Sequence, residues 1–154
     1  MPSQSHFDAI ALLKADHRKV EDLFAEFAAA KGAAKKQALV EKICAELSGH
    51  TVIEEELFYP ACRGKVEDAL LNEGYVEHDG SKVLIAELIA SAPNEEFYDA
   101  KVKVLSERHR QLVRSGWSDA DDWQWALGFI ANPYYRFRPR PGIFGSWKLY
   151  ALRQ

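Results

Sequence analysis

The sequence has few of the features that mark exported, membrane-spanning or disulfide-bonded proteins. It contains only two cysteines, Cys44 and Cys62, and they form no CxxC pair. No stretch of about 18 apolar residues occurs, so no segment is expected to span a membrane. Residues 1–6 lack the charged and apolar regions of a secretory signal. We therefore expect a cytoplasmic protein whose thiols are reduced.

Glutamate and tryptophan are distributed unevenly along the chain. Residues 108–154 contain no glutamate, yet all four tryptophans and seven of the nine arginines lie there. Their net charge is +5, from 8 basic and 3 acidic residues, against −8 for residues 1–107, from 12 basic and 20 acidic residues. This break predicts a helical domain over residues 8–115 and an atypical Trp/Arg-rich tail over 116–154. The tail is interpreted as disordered or as the product of an altered coding frame, and a lineage-specific extension is the alternative.

Apolar side chains recur at spacings of three and four residues in four segments, which is typical of amphipathic helices. Gly32 is expected to end the first helix and Pro60 the second. Because helices of about 20 residues joined by short turns pack as antiparallel neighbours, we predict an all-α, up-down-up-down four-helix bundle with an irregular C-terminal tail. The predicted helices span residues 7–30, 34–59, 65–91 and 94–113.

Polar side chains interrupt three of these apolar faces at positions where a core residue is expected: His17, His50, Glu54 and His78. A buried ionised glutamate is costly unless it is paired or bound to a metal ion. His50 and Glu54 are four residues apart and therefore share one helix face, and imidazole with carboxylate suits iron, manganese or zinc. A single buried histidine is more often a satisfied core residue, so the pattern alone leaves both a metal site and a polar core open.

The segments around these residues resemble the hemerythrin-like (HHE) family of non-haem iron proteins. The resemblance covers roughly residues 8–107 and is carried by three motifs: Asp16-His17, the string His-Thr-Val-Ile-Glu-Glu-Glu-Leu-Phe-Tyr-Pro over residues 50–60, and Glu77-His78. It implies a bundle that binds two irons, with Glu54 as a bridging carboxylate. The ligands implied by the resemblance are His17, His50, Glu54 and His78.

The fourth predicted helix departs from the family pattern. Where the family carries His-His-x-x-Glu-Glu, residues 111–116 read Gln-Leu-Val-Arg-Ser-Gly, so the di-iron site is expected to be incomplete. His109 lies about 200° around the helix from Gln111 and would face the site only if the helix were rotated. A face through Val102, Leu105, His109 and Leu112 would allow that rotation, but Val113 stands where an accompanying carboxylate is needed.

The resemblance implies a non-haem iron protein that binds dioxygen, nitric oxide or peroxide, or that acts in redox sensing, iron handling or stress response. The alternative is a bundle with one metal ion or none that serves as a structural or interaction protein. No nucleotide-binding loop or nucleophile dyad is present, so an enzyme acting on an organic substrate is not expected. Residues 134–140 mix basic and aromatic side chains, which can bind nucleic acid, but a tail without such a role is favoured, and neither nucleic acid nor membrane is expected as a partner.

Overall fold

Helices account for almost all of the chain from residue 9 to residue 117. The computed structural model describes this range and two dipeptides, Pro139–Arg140 and Lys148–Leu149, which pair as short antiparallel strands. Most of the tail predicted over residues 116–154 therefore lies outside the described residues, and the interpretations placed on it stay predictions. Within the described part of the chain, no helix combines the length and apolar character needed to cross a bilayer.

Four helical rods form the domain. The first is α1 (Ala9–Ala29). The second comprises α2 (Ala33–Ile53), a π-helical turn (Glu54–Phe58) and α3 (Tyr59–Cys62), and the third and fourth are α4 (Asp68–Ile89) and α5 (Tyr98–Trp117). The first rod packs against the second and fourth, and α4 also packs against the second and fourth, so the rods form a closed ring. With short connections between successive rods, this is the predicted all-α, four-helix bundle.

The second rod continues past Pro60, so the expectation that this proline ends the helix is wrong. The N–H of Tyr59 donates to the carbonyl of Glu54, five residues back, which makes the preceding turn a wider π turn. A wider turn lets the chain pass a residue that has no N–H and whose ring clashes with the preceding turn of a regular helix. Pro60 has no N–H to donate to the carbonyl of Glu55. This carbonyl instead accepts a hydrogen bond from the Tyr75 hydroxyl at 3.1 Å.

The fourth rod begins later than predicted and presents a different face. It starts at Tyr98 and not at Asn94, because the residues before it form a turn in which the Glu95 side chain accepts a hydrogen bond from the N–H of Ala92 at 2.7 Å. The sequence predicts a helix through Phe97, Val104 and Leu105, but Phe97 and Val104 are 63% and 41% exposed and only Leu105 is buried. The buried face instead consists of Tyr98, Val102, Leu105 and His109.

The bundle core consists of two apolar clusters with a polar layer between them. On each of the three rods that contribute to both clusters, one histidine lies between the two sets in sequence: His17, His50 and His78. The polar layer therefore crosses the middle of the bundle. The larger cluster includes Val20, Phe24, Ile43, Leu47, Ile85, Tyr98, Val102 and Leu105. The smaller one contains Leu13, Ile53, Phe58, Tyr59, Cys62 and Leu71. Cys44 and Cys62 are both buried free thiols.

Candidate metal centre

Each of the four rods contributes one histidine to the polar layer. His17 lies on α1, His50 on α2, His78 on α4 and His109 on α5, and the π turn adds Glu54. None of these side chains is more than 6% exposed. The layer is therefore shielded from bulk water, which makes each polar contact within it stronger and each unmade contact costly.

Three of the predicted ligands meet directly. The Nε2 atoms of His17 and His50 lie 2.8 Å apart, and His50 Nε2 lies 3.2 Å from Oε1 of Glu54. One donor atom from each of these residues falls within 4.8 Å of the others, as in a group that could hold a metal ion. His50 and Glu54 meet because regular helix continues from one to the other, and the π turn begins only at Glu54.

The fourth predicted ligand, His78, contacts the other oxygen of the same carboxylate. Its Nε2 lies 3.0 Å from Oε2 of Glu54. The hydroxyl of Tyr59 donates to this Oε2 at 3.1 Å, and the Tyr59 ring stacks on the His78 ring at 5.7 Å with an interplanar angle of 10°. The two oxygens of Glu54 thus face different groups of side chains.

A carboxylate lies behind each of two imidazoles, and one of these carboxylates is within hydrogen-bonding distance. Asp16 Oδ2 lies 3.7 Å from Nδ1 of His50. Glu55 Oε1 lies 3.1 Å from Nδ1 of His78, and Lys82 Nζ contacts both oxygens of Glu55 at 2.8 and 2.9 Å. Carboxylates behind a ligating histidine commonly set its tautomer and orientation. Sequence reasoning assigned no such role to Asp16 or Glu55, although each directly precedes or follows a predicted ligand.

His109 is the functional candidate that sequence reasoning set aside. Its ring centroid lies 5.3 Å from that of His17 and 6.1 Å from that of Phe24. Its Nε2 is buried and has no hydrogen-bond partner within the described part of the chain. The signal that identifies it is the face through Val102 and Leu105, which is the face that α5 turns to the core.

A small cavity opens at the centre of the layer. Its volume is about 20 Å³, room for roughly one water molecule. The four histidines and Glu54 line it together with uncharged side chains: Leu47, Thr51, Ser81, Leu105 and Leu112. A space of this size fits a metal ion or a very small ligand and excludes an organic substrate.

Burial and mutual contact shift the pKa values of the layer in opposite directions. Burial and the neighbouring His50 lower the pKa of His17 to about 3, and the same two causes lower the pKa of His109 to about 4. Burial also acts to lower the pKa of His50, but Glu54 and Asp16 outweigh it and raise that pKa to about 9. Burial alone would raise the pKa of Glu54, yet His50 and His78 hold it well below its usual range. In the metal-free protein, Glu54 is thus a carboxylate paired with a protonated His50.

The arrangement has the chemistry of a cation site. His17 and His109 are held in the neutral form that binds metals, and the proton on Nε2 of protonated His50 lies where three donor atoms converge. A bound cation would take the place of that proton and neutralise Glu54. Nitrogen donors with a single carboxylate suit divalent iron, manganese or zinc, so the residues present fit a metal ion.

Comparison with known proteins gives a family for the chain. The model of the hemerythrin HHE cation-binding domain matches residues 8–115. A DNA nickase from Nostoc sp. (strain PCC 7120) is 27% identical over 131 residues, a match that covers 78% of this chain and 37% of the nickase. The chain therefore spans little more than a third of that relative's length. No solved structure matches the chain significantly. Since the family model covers more than half of the sequence, the chain belongs to the hemerythrin HHE cation-binding domain family.

Proposed function

We propose that the protein binds non-haem iron through His17, His50, Glu54 and His78. The observation that carries this proposal is the convergence of His17 Nε2, His50 Nε2 and Glu54 Oε1 in a buried layer. Burying an ionised carboxylate among imidazoles is costly unless a counter-charge is present, and a divalent cation supplies one. Membership of a cation-binding family supports the same assignment.

The ligands divide between two positions on either side of Glu54. His17 and His50 stand at Oε1, whereas His78 stands at Oε2 together with the Tyr59 hydroxyl. The described residues thus offer three donors at the first position and two at the second. We expect the first position to hold an ion firmly and the second to fill only weakly. Bound iron would supply redox chemistry and an open coordination position for dioxygen, nitric oxide or peroxide.

Binding of a small ligand at this layer agrees with the dimensions of the site. The cavity of about 20 Å³ lies among side chains that are almost fully buried, so a diatomic molecule or peroxide fits far better than an organic substrate. We therefore propose a role in binding or sensing such a molecule, or in handling iron, without turnover of an organic compound. Adding nitric oxide to the ferrous protein under anaerobic conditions should change its visible absorption spectrum.

The experiment that tests iron binding is a metal analysis of the purified full chain after expression in iron-supplemented medium. We expect about one equivalent of iron in the unmodified protein and a small fraction of that in Glu54→Gln, which keeps the size but removes the charge and replaces one acceptor oxygen with an NH₂ donor. Glu56→Gln is the matched control, because Glu56 lies two residues away and is exposed. An unmodified chain that folds but retains no iron, manganese or zinc would support the alternative of a metal-free structural bundle.

DNA cleavage is the second candidate, and it rests on the similarity to the Nostoc DNA nickase. DNA cleavage in the buried polar layer is not expected, because a phosphodiester cannot enter a cavity of about 20 Å³. We therefore expect supercoiled plasmid to stay intact when it is incubated with the protein and Mg²⁺ or Mn²⁺. Nicking that disappears in Glu54→Gln would overturn this expectation.

A further inference from the structure

The fourth rod lacks the family's ligand string yet still places a nitrogen donor in the polar layer. His109 is 6% exposed, and its ring is adjacent to that of His17, with 5.3 Å between the centroids. It lines the same small cavity as His17, His50 and Glu54. His109 therefore lies beside His17 at the edge of this cavity.

The surroundings of His109 do not explain why a polar side chain lies at this buried position. Its neighbours on the buried face of α5 are Val102 and Leu105, and Phe24 lies against its ring. Its Nε2 has no hydrogen-bond partner within the described residues. A buried polar atom without a partner costs free energy that an apolar side chain of similar size would avoid, whereas a metal ion at the cavity would satisfy the nitrogen lone pair.

We infer that Nε2 of His109 is a metal ligand at the position formed by His17, His50 and Glu54. This inference rests on the proposed metal binding and adds a residue to it. The position then carries three imidazoles and one carboxylate, drawn from α1, α2, the π turn and α5. The fourth rod thus contributes to the centre from a face about 200° away from the one that Gln111 occupies.

Nitrogen NMR of the full chain tests the assignment without altering the site. The protein is labelled with ¹⁵N-histidine and loaded with Zn²⁺, a diamagnetic stand-in for ferrous iron. The expected result is that the ring nitrogens of His109 shift into the metal-bound range together with those of His17 and His50. His109→Gln serves to assign the resonances. If the His109 resonances stay at their metal-free positions while those of His17 and His50 shift, His109 is not a ligand, and the proposed metal binding stands.

Affinity gives a second, independent result. Co²⁺ affinity is measured by competition between the metal-free chain and a chelator. We expect His109→Gln to weaken Co²⁺ binding by at least about ten-fold. The visible spectrum of the bound Co²⁺ should also change. Val102→Ala is the matched control: it thins the same face of α5 but removes no donor, and its affinity and spectrum should equal those of the unmodified chain. Equal affinity and spectrum for His109→Gln overturn the inference. If the unmodified chain binds neither Zn²⁺ nor Co²⁺, both the inference and the proposed function fail.

Discussion

The two sides of the Glu54 carboxylate differ in how their polar atoms are satisfied. At Oε2 the contacts form a closed hydrogen-bonded set, in which Tyr59 donates to the oxygen and His78 is held from behind by Glu55, itself bound by Lys82. At Oε1 the imidazoles of His17 and His50 crowd together. Beside His17, Nε2 of His109 is buried without a hydrogen-bond partner among the described residues.

This difference separates a stable polar scaffold from a binding position. The Oε2 side is complete without an added ion, because each of its groups already has a partner of opposite polarity. On the Oε1 side the only positive charge is the proton on His50, and Nε2 of His109 has no partner among the described residues. The bundle therefore holds one half of its centre fixed and leaves the other half suited to a cation.

The largest expected difference between the two sides is in the metal affinity lost when one histidine is removed from each. His50→Ala deletes a donor from the Oε1 side, and we expect its metal affinity to fall by about 100-fold or more. His78→Ala deletes a donor from the Oε2 side, and we expect a fall of about ten-fold or less, in the range that outer contacts produce. Chelator competition with Co²⁺ measures both. Equal losses in the two variants would show that the two sides contribute alike.

The Oε1 side should also control the stability of the metal-free protein in weak acid. His17 and His109 have folded-state pKa values of about 3 and 4, below their ordinary 6.5. The unfolded chain therefore binds protons first, and the free energy of unfolding falls as pH drops below 6.5. His50, with its pKa raised to about 9, contributes stability that is fully present below pH 6.5, so it adds no slope there. Protonation of Glu54 lowers the free energy of unfolding only below its ordinary pKa of 4.5.

Urea unfolding of the metal-free chain at two pH values measures this effect. We expect a decrease of about 3 kcal/mol in the free energy of unfolding between pH 6.5 and pH 5, about half of it from each histidine. His109→Gln should reduce the decrease, because one of the two responsible groups is gone. A free energy of unfolding that rises over the same interval would contradict the assigned protonation states.

The hydroxyl of Tyr59 allows a finer comparison. Tyr59→Phe removes the hydrogen bond to Glu54 Oε2 but leaves a ring to stack on His78. Because one buried hydrogen bond is lost, we expect a destabilisation of about 1 kcal/mol and little change in metal affinity. Tyr75→Phe is the control, since its hydroxyl also makes one bond, to the main chain of Glu55. Loss of metal from Tyr59→Phe alone would place the ion at Oε2.

Lys82 should give the smallest effect. It is exposed and contacts Asp79 and Glu55, of which Glu55 in turn contacts His78. Exposed ion pairs contribute about 0–1 kcal/mol, so Lys82→Ala should lower the urea midpoint slightly and change Co²⁺ affinity by no more than about two-fold. A large loss of metal in this variant would mean that the position of His78 governs binding.

Sequence periodicity was sufficient for the parts of the fold that follow a regular 3.6-residue repeat. The faces of α1 and α2, and with them His17, His50 and Glu54, follow from that repeat, as does the face of α4 with His78. The π turn does not, because it adds one residue to a turn and moves Phe58 and Tyr59 into the core.

The rotation of α5 was the other feature that periodicity could not decide. Its sequence supports two apolar faces, one through Phe97 and Val104 and one through Tyr98 and Val102. Tyr98 packs with Phe27 of α1, with 6.5 Å between ring centroids, and burial of this large side chain selects the second face. That choice, made by tertiary packing, brings His109 into the polar layer. Helix α5 also continues without interruption past residue 107, where the composition of the chain changes.

The number of ions that one chain binds tests the central claim most directly, because only the Oε1 side is expected to hold an ion firmly. Native mass spectrometry of the metal-free chain, titrated anaerobically with Fe²⁺, counts bound ions per molecule. We predict that about one ion binds before any second adds, in keeping with a site that has donors enough for a single position. Two ions that bind together at the lowest additions, or an ion that stays bound in His50→Ala, would contradict the account.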